Sequence, residues 1–103
     1  MTESDVLLEE VDETGICVLT IHRPNAMNSL NGALVHQLGQ RFHALNGRDD
    51  VRVIILTAVG ERAFCVGADL KERKGMTETE VSQRLRDYRV AFRAIEDVNK
   101  PVI

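Results

Sequence analysis

The stretch from Arg62 to Arg73, Arg-Ala-Phe-Cys-Val-Gly-Ala-Asp-Leu-Lys-Glu-Arg, is where this chain can do chemistry with its backbone. Gly67 admits a backbone conformation closed to other residues, and Ala68 has a side chain too small to shield its own amide. Asp69 is suited to cap a turn beginning at Leu70. Together they can aim a free backbone N–H at a ligand, with the partial positive charge of a helical N-terminus behind it, as an oxyanion requires. A plain loop closed by a helix cap uses the same residue types, and the types alone do not separate the two readings.

Other chemistries fail on residue type. No Ser-centred nucleophile elbow, G-x-G-x-x-G or G-x-x-x-x-G-K loop is present. His36 and His43 fall off the apolar stripe of a predicted helix and read as solvent-facing, while His22 follows a strand with no nucleophile to pair with it. Cys17 and Cys65 sit among apolar residues, as reduced buried thiols do, so neither a disulfide nor a metal site is expected. Glu61 and Glu72 carry no signal beyond charge.

The elements that position Arg62–Arg73 must fit one small domain, because the chain has 103 residues. It carries 13 Lys and Arg against 16 Asp and Glu, a net charge of −3 with the signs interspersed, which gives no footprint for nucleic acid. An apolar fraction of 44% and a charged fraction of 28% are those of a globular chain. No apolar run approaches the roughly 20 residues that cross a bilayer, and Met1 to Asp5 lacks the features of a secretory or transit leader. A cytoplasmic, non-membrane protein is the default expectation.

Val6–Val11 and Ile16–Ile21 predict a hairpin about Asp12, Glu13, Thr14 and Gly15. Leu30, Leu34, Leu38, Phe42 and Leu45 recur at helical spacing, with Asn28, Ser29 and Asn31 as N-cap candidates and Asn46-Gly47 suited to a left-handed C-terminus. The contiguous apolar residues of Val51–Ala58 predict a strand covered on both faces and parallel to its predecessor. A loop runs from Gly60 to near Gly67. Thr77 and Glu80 then form a capping-box pattern ahead of Val81, Leu85, Tyr88, Phe92, Ile95 and Val98, a second helical stripe. Lys100-Pro101-Val102-Ile103 looks like the start of another buried strand, so residues 1–103 are expected to be the N-terminal part of a single, longer domain.

These residues carry a family likeness. Phe64-Cys65-Val66-Gly67-Ala68-Asp69-Leu70-Lys71-Glu72 resembles the F-x-x-G-A-D-[IL]-x-E signature of the crotonase superfamily, the enoyl-CoA hydratase and isomerase family. His22 to Leu30 resembles its N-R-P-x-x-x-N-[AS]-L block, Val51 to Thr57 its V-R-x-[IV]-[IV]-[IL]-T strand, and Lys100 to Ile103 its K-P-[VT]-I segment. The likeness runs from about Val6 to the last residue. It is strongest to the enoyl-CoA and methylglutaconyl-CoA hydratase branch.

The resemblance implies an α/β fold, a crotonase-like ββα spiral core in truncated form, binding an acyl-CoA thioester and hydrating trans-2-enoyl thioesters. Two backbone N–H groups would stabilise the enolate, and Ala68 matches the first. Ala26 and Met27 match the block lining the coenzyme A site, while Val66, Gly67, Ala68, Asp69 and Leu70 match the stretch touching adenine and pantetheine. Arg23 and Lys71 are candidate phosphate contacts by charge, with a solvated surface role equally open. Coenzyme A enters as part of the substrate, so no separate cofactor and no metal are implied. The family forms trimers and pairs of trimers. Its second oxyanion donor and its two catalytic Glu match positions beyond Ile103, so the 103-residue chain is expected to be inactive alone. Isomerase, thioester hydrolase or decarboxylase chemistry on the same fold is the nearest alternative, and a noncatalytic folding or assembly unit the more distant one.

Overall fold

The computed structural model describes residues 6–103, so the leader reading of Met1–Asp5 lies outside the described residues. Strands β1 (Leu7–Val11) and β2 (Ile16–Ile21) form the expected antiparallel hairpin. Its turn is tied by Asp12, whose Oδ1 accepts from the Thr14 and Ile16 amides, both at 2.9 Å. Gly15 completes the turn at φ +92°, and a Cβ there would lie 3.0 Å from the Asp50 carbonyl oxygen.

Helix α1 (Gly32–Asn46) carries the chain across to β3 (Val53–Ala58), which pairs parallel with β2 in the sheet order β1-β2-β3. Cys17, Leu19 and Ile21 alternate inward on β2 and meet Leu34, Leu38, Phe42 and Leu45 of α1 in one core. Leu34, Leu38, Phe42 and Leu45 thus follow the expected stripe. Leu30 does not, because Asn31 is the N-cap, its side chain accepting from the Leu34 amide, and Leu30 lies before the helix. Gly47 closes α1 at φ −87°, in the right-handed region, so the left-handed terminus expected at Asn46-Gly47 is not formed. Of β3 only Ile54 is fully buried, and the two-sided cover expected for this strand is partial.

Helix α2 (Leu70–Lys74) is a single short turn, followed by α3 (Glu78–Asp97) with both hydrogen bonds of the Thr77–Glu80 capping box in place. The expected stripe of α3 meets the core in part: Tyr88, Ile95 and Val98 are half-buried against it, while Leu85 and Phe92 turn outward. Ala91 is the buried residue of the helix and packs on Gly39 of α1, whose Cβ position would lie 3.4 Å from the Ala91 Cα. Two small residues let the helices approach, and Leu85 and Phe92 are left 45% and 48% exposed. At the end of the described chain, Ile54 N donates to Pro101 O at 3.0 Å and Ile103 N to Ile54 O at 2.9 Å, adding a parallel neighbour to β3 as the Lys100–Ile103 pattern predicts. No described helix is long and apolar enough to cross a membrane.

Candidate functional site

Two loops leave the sheet at the same edge of the fold, one after β2 and one after β3, and they are stitched together. In the first, the short 3₁₀ turn Pro24–Ala26 is followed by Met27 at φ +52° and Asn28 at φ +57°. Asn tolerates this left-handed region better than most residues, and its amide both accepts and donates. Asn28 uses both donors and accepts once. Its Oδ1 accepts from the Arg23 amide at 2.9 Å, and its Nδ2 donates to the carbonyls of Val59 at 2.9 Å and Ala63 at 3.1 Å. The side chain is fully buried, so one amide group fixes the start of the second loop to the first.

The far end of the second loop is fixed by backbone. Leu30 N donates to Gly67 O at 2.7 Å and Asp69 N donates to Leu30 O at 3.1 Å, a one-residue parallel bridge between Leu30 and Ala68. Along an extended chain, successive peptide groups point to alternate sides. The groups that flank Ala68 face Leu30, so the Ala68 N–H faces the other way. No hydrogen bond among the described residues uses it. Gly67 makes the approach possible at φ +97°, and Ala68 is half-buried.

Asp69 serves both sides of this junction. Its Oδ1 accepts from the Lys71 and Glu72 amides, both at 3.1 Å, and caps α2 as its type predicts, while its Oδ2 accepts from Arg23 Nη2 at 3.1 Å. The Glu72 amide, then the Arg23 guanidinium, hold the Asp69 carboxyl below the ordinary carboxylate range despite its partial burial. Glu72 in turn accepts from the Gly32 amide at 3.0 Å and pairs with Arg84, which ties α2 to the starts of α1 and α3. Among the described residues no ion pair includes Lys71, which is exposed.

Around this junction the fold leaves large apolar side chains in solvent: Met27 is 41% exposed, and Phe64, Val66 and Leu70 are 54%, 53% and 73% exposed. Ala26 lies beside Met27 in the 3₁₀ turn. Ala68 and Asp69 also border a cleft of about 20 Å³ completed by Met76, Arg84, Leu85 and Tyr88, room for about one water. A larger groove of about 560 Å³ runs elsewhere, between α1 and α3, with the exposed His36 and His43 on its wall. Size favours that groove, but chemistry favours the loop junction, because the unpartnered donor and the small residues that expose it are there. Cys17 is fully buried, which raises its thiol pKa, and Cys65 is half-buried; both are free.

The structure therefore brings Arg23, Gly67, Ala68 and Asp69 together and places Val66, Leu70 and Lys71 on the flanking surface. Sequence reasoning missed Asn28 and Leu30 as the anchors. Asn28 is one of three candidate caps by type; the fixed Asn and Leu of the N-R-P-x-x-x-N-[AS]-L block fall on Asn28 and Leu30 and are the available signal, while the left-handed backbone that gives Asn28 its stapling role is invisible in composition.

Comparison with known proteins gives the family and the fold. The enoyl-CoA hydratase/isomerase family model matches residues 11–103. The chain is 34% identical over 103 residues to a short-chain-enoyl-CoA hydratase of Clostridium acetobutylicum, covering 100% of this chain and 39% of that protein. It is 35% identical to human mitochondrial methylglutaconyl-CoA hydratase, covering 99% and 31%. A crystal structure of enoyl-CoA hydratase from Bacillus anthracis superposes with a TM-score of 0.90 at 34% identity, over 95% of this chain and 38% of that one. The chain thus spans between 31% and 39% of the length of these relatives. The family model over residues 11–103 and the structural superposition give one answer: the chain belongs to the enoyl-CoA hydratase/isomerase family and has the crotonase fold of its N-terminal portion.

Proposed function

We propose that the Ala68 N–H is an oxyanion donor for an acyl-CoA thioester, and that the protein to which this chain belongs hydrates trans-2-enoyl-CoA substrates. The observation that carries the reading is the backbone amide of Ala68, turned away from its bridge partner and used by no hydrogen bond among the described residues. When hydroxide equivalent adds to Cβ of the enoyl group, negative charge moves onto the thioester oxygen as an enolate, and a proton then goes to Cα. A fixed N–H aimed at that oxygen stabilises the charged state more than the neutral ground state, so it lowers the barrier without itself exchanging a proton. The exposed Met27, Val66 and Leu70 supply apolar surface for the pantetheine and adenine portions, beside Ala26 and Gly67.

The names of relatives support this choice of reaction, since a short-chain-enoyl-CoA hydratase and a crotonyl-CoA hydratase are 34% and 32% identical to the chain. A second oxyanion donor and the acid and base carboxylates are proposed to come from polypeptide outside these 103 residues, in an assembly of trimers. The 103-residue chain is accordingly expected to leave crotonyl-CoA unhydrated.

The test is Ala68→Pro in the full-length enzyme, followed by loss of the enoyl absorbance of crotonyl-CoA. Proline removes the N–H, and because that N–H makes no bond among the described residues, the Leu30 bridge keeps both of its hydrogen bonds. Loss of one oxyanion donor costs about 2.7–4 kcal/mol, so kcat is expected to fall roughly 10²- to 10³-fold with the fold retained. Unchanged turnover in a folded variant removes Ala68 from the reaction.

A further inference from the structure

We propose that Arg23 is a positioning residue for the Ala68 amide, not a contact for the phosphates of coenzyme A; this rests on the reading of Ala68 as oxyanion donor. Its guanidinium lies across the two loops. Nη1 donates to the Ser29 carbonyl at 2.6 Å and to Ser29 Oγ at 3.2 Å, and Nη2 donates to Asp69 Oδ2 at 3.1 Å. Ser29 immediately precedes Leu30 and Asp69 immediately follows Ala68. One planar group therefore grips both strands of the Leu30–Ala68 bridge, each one residue away from the pair.

That brace matters because the bridge itself has only two hydrogen bonds, at 2.7 and 3.1 Å. The direction of the Ala68 N–H follows the plane of the 67–68 peptide, and the peptide begins at Gly67, a residue with little conformational resistance of its own. A cross-link at Asp69 limits its rotation. The backbone end of Arg23 is held as well, its amide donating to Asn28 Oδ1 at 2.9 Å. The Arg23 side chain is 18% exposed and that of its partner Asp69 13%, so an incoming phosphate would have to compete with a charge already in place. Lysine, a point charge, can reach one of the two partners but does not reproduce the fork.

The experiment compares Arg23→Gln, Arg23→Lys and Asp69→Ser in the full-length enzyme on two substrates, crotonyl-CoA and crotonyl-pantetheine, which lacks the nucleotide phosphates. Serine at 69 keeps an N-cap for α2 and loses only the ion pair. A displaced donor lowers kcat, and misplacement of a catalytic group by an ångström costs up to about 10²-fold. Arg23→Gln is expected to lower kcat about tenfold or more, by the same factor on both substrates, with KM within about threefold of wild type. Arg23→Lys should recover part of the loss. Asp69→Ser should match Arg23→Gln, and the double variant should be no slower than either, since they break one link. A rise in KM confined to crotonyl-CoA makes Arg23 a phosphate contact and overturns the proposal, as does unchanged kcat in both single variants. The outcome is separable from the oxyanion reading: Ala68→Pro slow with Arg23→Gln normal sinks only the brace, whereas Ala68→Pro normal sinks the donor.

Discussion

Asn28 is the most heavily committed side chain in the candidate site, and its removal has a cost that can be worked from the structure. Asn28→Ala deletes three hydrogen bonds, to the Arg23 amide and to the Val59 and Ala63 carbonyls. At about 1 kcal/mol net for each, the sum is roughly 3 kcal/mol. Alanine must also hold φ +57°, a region that costs an ordinary L-residue about 1–2 kcal/mol, so the total reaches about 4 kcal/mol. Asn28→Gly separates the two parts, because glycine accepts the backbone without strain and is expected to lose only the hydrogen-bond share. Asn28→Asp keeps the acceptor for Arg23 but turns a second oxygen toward two carbonyls. That raises the folded-state pKa of the new carboxyl, so Asn28→Asp should regain stability relative to wild type as pH falls through that raised value and the carboxyl becomes a donor. Urea denaturation with unchanged m-value measures all three. A loss below about 1 kcal/mol for Asn28→Ala would refute the claim that this amide staples the loops.

Two further outcomes follow from the same junction. Gly67→Ala introduces a Cβ that meets no atom within 4 Å, so its cost is conformational alone, at φ +97°; about 1–3 kcal/mol is expected in denaturation, and a neutral effect would mean that Gly67 does not hold this backbone. The Asp69 carboxyl titrates below its ordinary 3.8 in the folded chain, so its contribution is present above the unfolded value and is lost as pH falls through the lower folded one. The stability difference between wild type and Asp69→Asn should therefore shrink below about pH 4, and a difference independent of pH would refute the pairing with Arg23.

Much of the fold is legible in the sequence because local and periodic signals agree. The hairpin about Asp12–Gly15, the α1 stripe from Leu34 to Leu45, and the Thr77–Glu80 capping box each specify one element with nearest-neighbour chemistry. The misplaced features depend on partners remote in sequence. Leu30 fits the helical spacing of Leu34, yet its backbone is taken by Gly67 and Asp69, a bridge that no period encodes. The buried face of α3 turns on Ala91 because Gly39 opposite it admits a close approach, whereas a count of large apolar residues favours Leu85 and Phe92. In the site, Gly67 and Asp69 are readable by type, since one backbone angle and one cap define their roles. Arg23 is not, because a long cation looks alike in sequence whether it meets solvent, phosphate or a carboxylate on the next loop.

The free donor at Ala68 is a product of backbone accounting. Folded chains pair nearly all buried main-chain polar groups, and a continuous strand at 67–69 flanked on both sides would consume the Ala68 N–H. Here the segment pairs on one side only, through the Gly67 carbonyl and the Asp69 amide, so the group between them is left over by alternation. No side chain produces it, which is why the sequence signals the site by smallness at Gly67 and Ala68 and shows no nucleophile, acid or base there. It also distinguishes two substitutions at one position. Ala68→Ser keeps the main-chain N–H and adds one small atom, so it should retain most of the turnover that Ala68→Pro loses. If serine proves as damaging as proline in a folded enzyme, the side-chain space at residue 68, and not its amide, is what the reaction uses.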